Sequence, residues 1–166
     1  MPSLYPIPYT LYPKKGFTLI ELLIVMAILG LLSTISLANF QTTRIKARDA
    51  QRKSDLSTIA KSLEAYANDH QAYPASDTNH QIVCQPPTTT CSWGATFTDG
   101  QSTYTATLPA DPGGYSYEYV AAGDGSSFSL YAYLENTNDP SIVAITPSVS
   151  CGTQNCNYKI TSSNIK

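Results

Sequence analysis

Few residues in this 166-residue chain have types and spacing that could do chemistry, and one stands out. Glu21 is the only acid in an apolar run from Phe17 to Phe40, whose other polar residues are Thr18, Ser33, Thr34, Ser36 and Asn39. A lone carboxylate in hydrocarbon costs several kcal/mol unless a proton, a cation or hydrogen-bond donors satisfy it. Lys14 and Lys15 lie just before the run, and no Lys or Arg follows until Arg44. Basic residues there hold the start of an apolar segment on the cytoplasmic side. The cysteines fall in two close pairs after the run, Cys84 with Cys91 and Cys151 with Cys156. In an exported domain an even number reads as disulfides, and pairing by proximity is the simplest connectivity. Free thiols or a zinc site are the alternatives. The spacings are wide for a zinc knuckle, and the only histidines, His70 and His80, lie outside both pairs. No nucleophile elbow, phosphate loop or paired metal motif occurs, so catalysis is not expected.

These residues must be carried by a helix and a sheet. The gap without Lys or Arg exceeds the roughly 20 residues that cross a bilayer as a helix. An ordinary secretory signal is the alternative, with small residues at Ser33–Ala38 for cleavage, but it leaves Glu21 without a role. Residues 1–13 hold four prolines and no helical period, and read as an unstructured leader. No proline occurs between Lys14 and Pro74. One continuous helix is therefore expected from about Phe17 to Asn68, on the order of 75–80 Å long. Leu56, Ile59, Ala60, Leu63, Tyr66 and Ala67 recur at three- and four-residue steps and mark one apolar face. The turns before them, Arg44 to Asp55, are polar nearly all round.

Beyond the helix the composition favours strands. Tyr115, Tyr117 and Tyr119 alternate with Ser116 and Glu118 over 114–121. Phe128, Leu130, Ala132 and Leu134 share one face of 127–134, with Tyr131 and Tyr133 on the other. The "GDGS" at 123–126 supplies a hairpin turn between them. Residues 141–146 and 157–161 are candidates for further strands, and 74–101 reads as a long loop. From Asp69 onward eight acids face two bases, which opposes long-range attraction of nucleic acid.

The stretch "KKGFTLIELLIVMAILGLL" resembles the amino terminus of type IV pilins and type II secretion pseudopilins: a basic leader ending in Gly16, then Phe17, then an apolar helix with Glu21 at its fifth position. "YANDHQAYP" (66–74), "DPGGYSYEY" (111–119) and "FSLYAYL" (128–134) are similar to the major pseudopilin. The resemblance implies an α+β pilin fold, a long helix packed on a small antiparallel sheet. It implies a leader, 1–16, that a prepilin peptidase removes between Gly16 and Phe17, with methylation of the new Phe17 amine. It divides the rest into a transmembrane and filament-core helix, 17–40, an amphipathic helix, 41–73, and a globular head, 74–166. The implied partners are further copies in a helical filament, an inner-membrane assembly platform and minor pilins. The subunit would be single-pass in the cytoplasmic membrane with its head outside, then part of a periplasmic or extracellular filament. Glu21 would pair with the Phe17 amine of a neighbouring subunit, relieving both charges and fixing the axial step.

There are two departures. Ala38 stands where many members have proline. The carboxy-terminal loop, where major pseudopilins often bind calcium, lacks their glycine-rich pattern. Glu135, Asn136, Asn138 and Asp139 still offer oxygen donors suited to calcium, with a polar surface loop as the alternative. Asp111 is read as serving the turn with Pro112 and Gly113. Two other classes stay in view: a DNA-uptake (competence) pseudopilin, and a membrane-anchored binding module. The only basic cluster is Arg44–Lys53, expected to pack inside a filament against acids of neighbours rather than to bind nucleic acid.

Overall fold

The uninterrupted helical pattern becomes one α-helix, α1, running Leu19–His70. The computed structural model describes residues 16–85 and 89–162, without the side chains of residues 35–39. The leader residues before Gly16, with Lys14 and Lys15, lie outside the described residues, as does the side chain of Ala38. α1 ends where Gln71 takes a left-handed conformation, φ 60°, and its N–H still bonds the Ala67 carbonyl at 2.8 Å. Pro74 then prevents any continuation.

The chain divides into two compact units, Met1–Phe40 and Gln41–Lys166. In the first, the side chains of α1 from Leu19 to Leu32 are exposed all round and, apart from Glu21, apolar. Among the described residues no helix is long and apolar enough to cross a membrane. The crossing expected over 17–40 includes residues 35–39, whose side chains are not described. From Leu19 to Thr34 a helix rises only about 24 Å, against about 30 Å of hydrocarbon.

The second unit holds the core. Leu56, Ile59 and Leu63 are fully buried, with Ala60, Tyr66 and Ala67 beside them on the same face. They pack against a three-stranded antiparallel sheet ordered β5 (Glu118–Ala121), β6 (Phe128–Ala132), β9 (Tyr158–Thr161). Leu130 faces Tyr119 on one side and Ile160 on the other. Alternation sends Phe128, Leu130 and Ala132 to the core and leaves Ser129 and Tyr131 half-buried on the far face. The β5–β6 turn needs Gly125. Its φ is +68°, and a Cβ there would lie 2.9 Å from the Ala72 Cβ.

Two expectations are corrected. Residues 74–101 are not one long loop. They contain the hairpin β1 (Ile82–Gln85) with β2 (Thr89–Cys91), and β3 (Phe97–Thr98), which pairs with β4 (Thr103–Thr105). Strands this short show no countable alternation. The Cys84–Cys91 disulfide joins β1 to β2, with 5.8 Å between Cα atoms, and it buries both cysteines against the core. Residues 141–146 are not a strand. Pro140 and Pro147 bracket the segment, and Ile142 N–H turns back to the Asp139 carbonyl at 3.2 Å. The second disulfide, Cys151–Cys156, closes the hairpin β7 (Ser150–Cys151) with β8 (Gln154–Asn155).

Leu63→Ala should lower the stability of the head by about 2–5 kcal/mol, through lost burial and the cavity left behind. The exposed Lys61→Ala should change it by less than about 0.5 kcal/mol. Denaturant titration of the purified chain in detergent measures both.

Candidate functional site

Two sets of polar side chains sit where apolar ones would be expected, one at each end of the apolar logic of α1. The first is at the helix start. Thr18 N–H donates to Glu21 Oε2 at 2.7 Å, and the Thr18 hydroxyl donates to the same oxygen at 2.6 Å. In return Glu21 N–H donates to Thr18 Oγ1 at 3.3 Å. This is a capping box, in which two side chains satisfy otherwise unpaired donors of the first turn. Thr18 stands three residues before Glu21, so the signal was present in the sequence and was missed. Phe17 precedes the box and is 92% exposed, and Gly16 is exposed beside it.

The second set lies where α1 meets the head. The polar turns from Arg44 to Asp55 put part of their charge inside the protein. Asp49, Arg52 and Asp55 recur at three-residue steps and are buried. The Arg52 side chain has no solvent exposure. Its Nε lies 2.6 Å from Asp111 Oδ2, its Nη1 2.7 Å from Asp49 Oδ1 and its Nη2 2.8 Å from Glu135 Oε1. Its guanidinium carbon sits 5.2 Å from the Tyr115 ring centroid. Asp111 also serves its own turn, accepting from Gly113 N–H at 2.7 Å and Tyr115 N–H at 3.1 Å. A Cβ on Gly113 would collide with Arg52 Nη2, which is why the turn carries glycine there. Asp49 accepts the backbone N–H groups of Glu135 and Asn136 at 3.0 and 2.8 Å. Asp55 receives the buried Tyr117 hydroxyl at 2.7 Å.

The loop after β6 is held by the same helix face. Arg48 Nε donates to Glu135 Oε1 at 2.8 Å. Lys53 Nζ donates to both Asp139 oxygens at 2.7 Å and to Ser141 Oγ at 3.0 Å. Of the candidate oxygen donors, Glu135 and Asp139 are thus bound to side-chain cations. Asn136 Oδ1 accepts Asn138 N–H at 3.4 Å. Among the described residues no group of His, Cys, Asp and Glu is placed to hold a metal ion. Arg48, Arg52 and Lys53 of the basic cluster therefore face acids of their own chain. His70 lies 2.8 Å from Asp99 at the end of α1, and His80 3.2 Å from Glu118.

The charges shift accordingly. Arg48 holds the Glu135 carboxyl down to about 2, against the opposing effect of burial and with help from Arg52. Burial pushes Asp111 up, but Arg52 and the Gly113 amide outweigh it and keep it below the ordinary range. Lys53 lowers Asp139. Burial raises Glu118, with Ser116 and His80 opposing.

Arg52→Met should cost roughly 3–5 kcal/mol, because three carboxylates lose their shared cation inside the protein. A separate pH prediction follows from the lowered groups. Glu135, Asp111 and Asp139 hold fewer protons folded than unfolded. Their contribution is complete above the ordinary carboxylate range, about 4–4.5, and is lost as pH falls toward 2. Glu118 runs the other way, its share present at low pH and lost as pH rises through its raised value. Asp99 and Asp124 are lowered too, by hydrogen bonds from their own turns, so with five head carboxylates against one the melting temperature should fall steadily from pH 5 to pH 2. A flat profile over that window would contradict the network.

Two family models match the chain. The model for the prokaryotic N-terminal methylation motif matches residues 12–37, and that for type II secretion system protein G matches residues 39–139. The type II secretion system core protein G of Pseudomonas aeruginosa is 33% identical over 119 residues, covering 72% of this chain and 82% of that protein. The proteins of the same name from Dickeya chrysanthemi and Vibrio cholerae are 29% and 28% identical, covering 72% and 71% of this chain and 76% and 78% of their own. No solved structure matches. The two matches adjoin within α1, and the chain belongs to the type II secretion system protein G family.

Proposed function

We propose that the chain is the structural subunit of a type II secretion pseudopilus, stored in the cytoplasmic membrane and assembled through α1. One observation carries this reading. The helix from Leu19 to Leu32 exposes apolar side chains on every face, with Phe17 and Leu19 at 92% and 82% exposure. Such a surface needs lipid or neighbouring helices around it. Lipid before assembly and neighbouring subunits afterwards satisfy it in turn. Residues 17–40 would be the membrane and filament-core segment, 41–73 the stalk and 74–166 the head outside the membrane, in a periplasmic or extracellular filament.

Prepilin peptidase would cut between Gly16 and Phe17 on the cytoplasmic side, with Lys14 and Lys15 retaining the leader there. Among the described residues a Cβ at Gly16 would meet nothing within 4 Å, so packing against them does not require glycine there. A demand from the peptidase accounts for it. Phe17 would then carry the methylated amine. In the filament Glu21 would exchange its Thr18 bonds for the Phe17 amine of a neighbour. Assembly on an inner-membrane platform with minor pilins completes the scheme. The role is structural rather than catalytic. DNA uptake is disfavoured, because Arg48, Arg52 and Lys53 are bound to the head's own carboxylates.

Glu21→Ala should leave insertion and cleavage intact and abolish or sharply reduce filaments seen by electron microscopy of sheared material. Normal filaments from that variant would overturn the registry role. Terminal-peptide mass spectrometry should find methylated Phe17 as the mature amino terminus. A terminus beyond Ala38 would overturn the whole scheme.

A further inference from the structure

We propose that Lys53 is a tethered cation that does for the loop from Glu135 to Ser141 what a bound divalent ion would do, so that the head stays folded without metal. The loop offers oxygen ligands of the kind hard cations use, but α1 has already engaged its two carboxylates, Glu135 and Asp139. Lys53 Nζ is surrounded by Asp139 Oδ1, Asp139 Oδ2 and Ser141 Oγ at 2.7, 2.7 and 3.0 Å. Ser141 N–H donates to Asp139 Oδ1 at 2.9 Å and closes the nest. The Tyr158 ring, its centroid 5.8 Å from Nζ, covers another side of the ammonium. A calcium ion takes six to eight oxygens at about 2.3–2.6 Å. An ion reaching Asp139 and Ser141 at those distances would overlap Nζ, so the two occupants exclude each other.

The other end of the loop is closed in the same way. Both Glu135 oxygens accept from guanidinium groups, Arg48 on each and Arg52 on Oε1. The first two loop amides are taken by Asp49. An incoming divalent ion would thus have to displace three positively charged groups on α1 and leave them beside it. A tethered cation differs from a free one in its order of addition. It arrives when the helix docks, requires no ion outside the cell, and ties loop closure to the packing of α1 on the sheet.

The test uses the purified full chain in detergent micelles, with thermal unfolding followed in EDTA and in millimolar calcium chloride. The wild-type midpoint should agree between the two within about 1 °C, and titration calorimetry with calcium chloride should show no binding. Lys53→Met keeps the apolar stem and removes the charge. It should lower the midpoint in EDTA by at least about 3 °C, while Lys53→Arg should recover most of the loss. Calcium raising the wild-type midpoint by more than about 3 °C, or measurable calcium binding to the wild type, would overturn the proposal. So would a Lys53→Met chain as stable in EDTA as the wild type. If Lys53→Met does not fold, the wild-type calcium titration alone still decides.

Discussion

The structure of the head turns on a positive charge that water does not reach. Arg52 is fully enclosed, and a guanidinium there is tolerable only if its donors all meet acceptors. Asp49 comes from one turn earlier in α1, Asp111 from the turn before β5 and Glu135 from the loop after β6. These segments are remote in sequence, so the charge can be satisfied only when helix, turn and loop have all arrived. Apolar burial of Leu56, Ile59 and Leu63 supplies most of the driving force, but it is non-directional and would tolerate sliding. A buried fork of N–H groups does not. A slip of one helical turn would carry Arg52 about 5.4 Å from its acceptors.

The same constraint explains how the sequence could and could not be read. The apolar face of α1 and the β5–β6 hairpin repeat a period over many residues, and burial obeys that period. The polar turns before Leu56 carry a three-residue recurrence too, Asp49, Arg52 and Asp55. Charged residues at helical spacing ordinarily mean a solvated face, and nothing local reveals that a partner 59 residues away will remove the water. The partners are short-range signals in their own right. Asp111 is recognisable as a turn residue, and Glu135 as a loop acid. Only the fold discloses that both point at one guanidinium. The Thr18–Glu21 box was different, because a threonine three residues before a glutamate at a helix start is a local pattern. The hairpins between Ile82 and Thr105 were hidden because two to four residues cannot display alternation.

Both polar sets on α1 solve one physical problem. Hydrocarbon and packed side chains give adhesion without address, and a charge that must be paired supplies the address. At the helix start Glu21 is held by Thr18, through donors that belong to its own chain. A carboxylate so held is satisfied before any neighbour arrives. It is bound by hydrogen bonds rather than by an opposite charge, so a neighbour's amine offers more. At the head no such exchange is open, because Arg52 is buried with partners from the same chain. On the proposed function one charge would serve exchange between subunits, while the other is fixed within one.

That division bears on how subunits would cohere. Arg48, Arg52 and Lys53 are paired within the chain with Asp49, Asp111, Glu135 and Asp139, a set that keeps one net negative charge. From Asp69 onward only Lys159 and Lys166 are basic, while Asp69, Asp77, Asp99 and Asp124 remain beside Glu118. Heads of the same sign repel when brought together, and salt limits that repulsion to about 8–10 Å. Exposed ion pairs contribute little in compensation. Cohesion in the proposed filament must therefore come mainly from the apolar length of α1. In that proposed scheme the surface would be unusable for assembly while lipid covers it, so extraction from the membrane, rather than contact between heads, would commit a subunit to the filament.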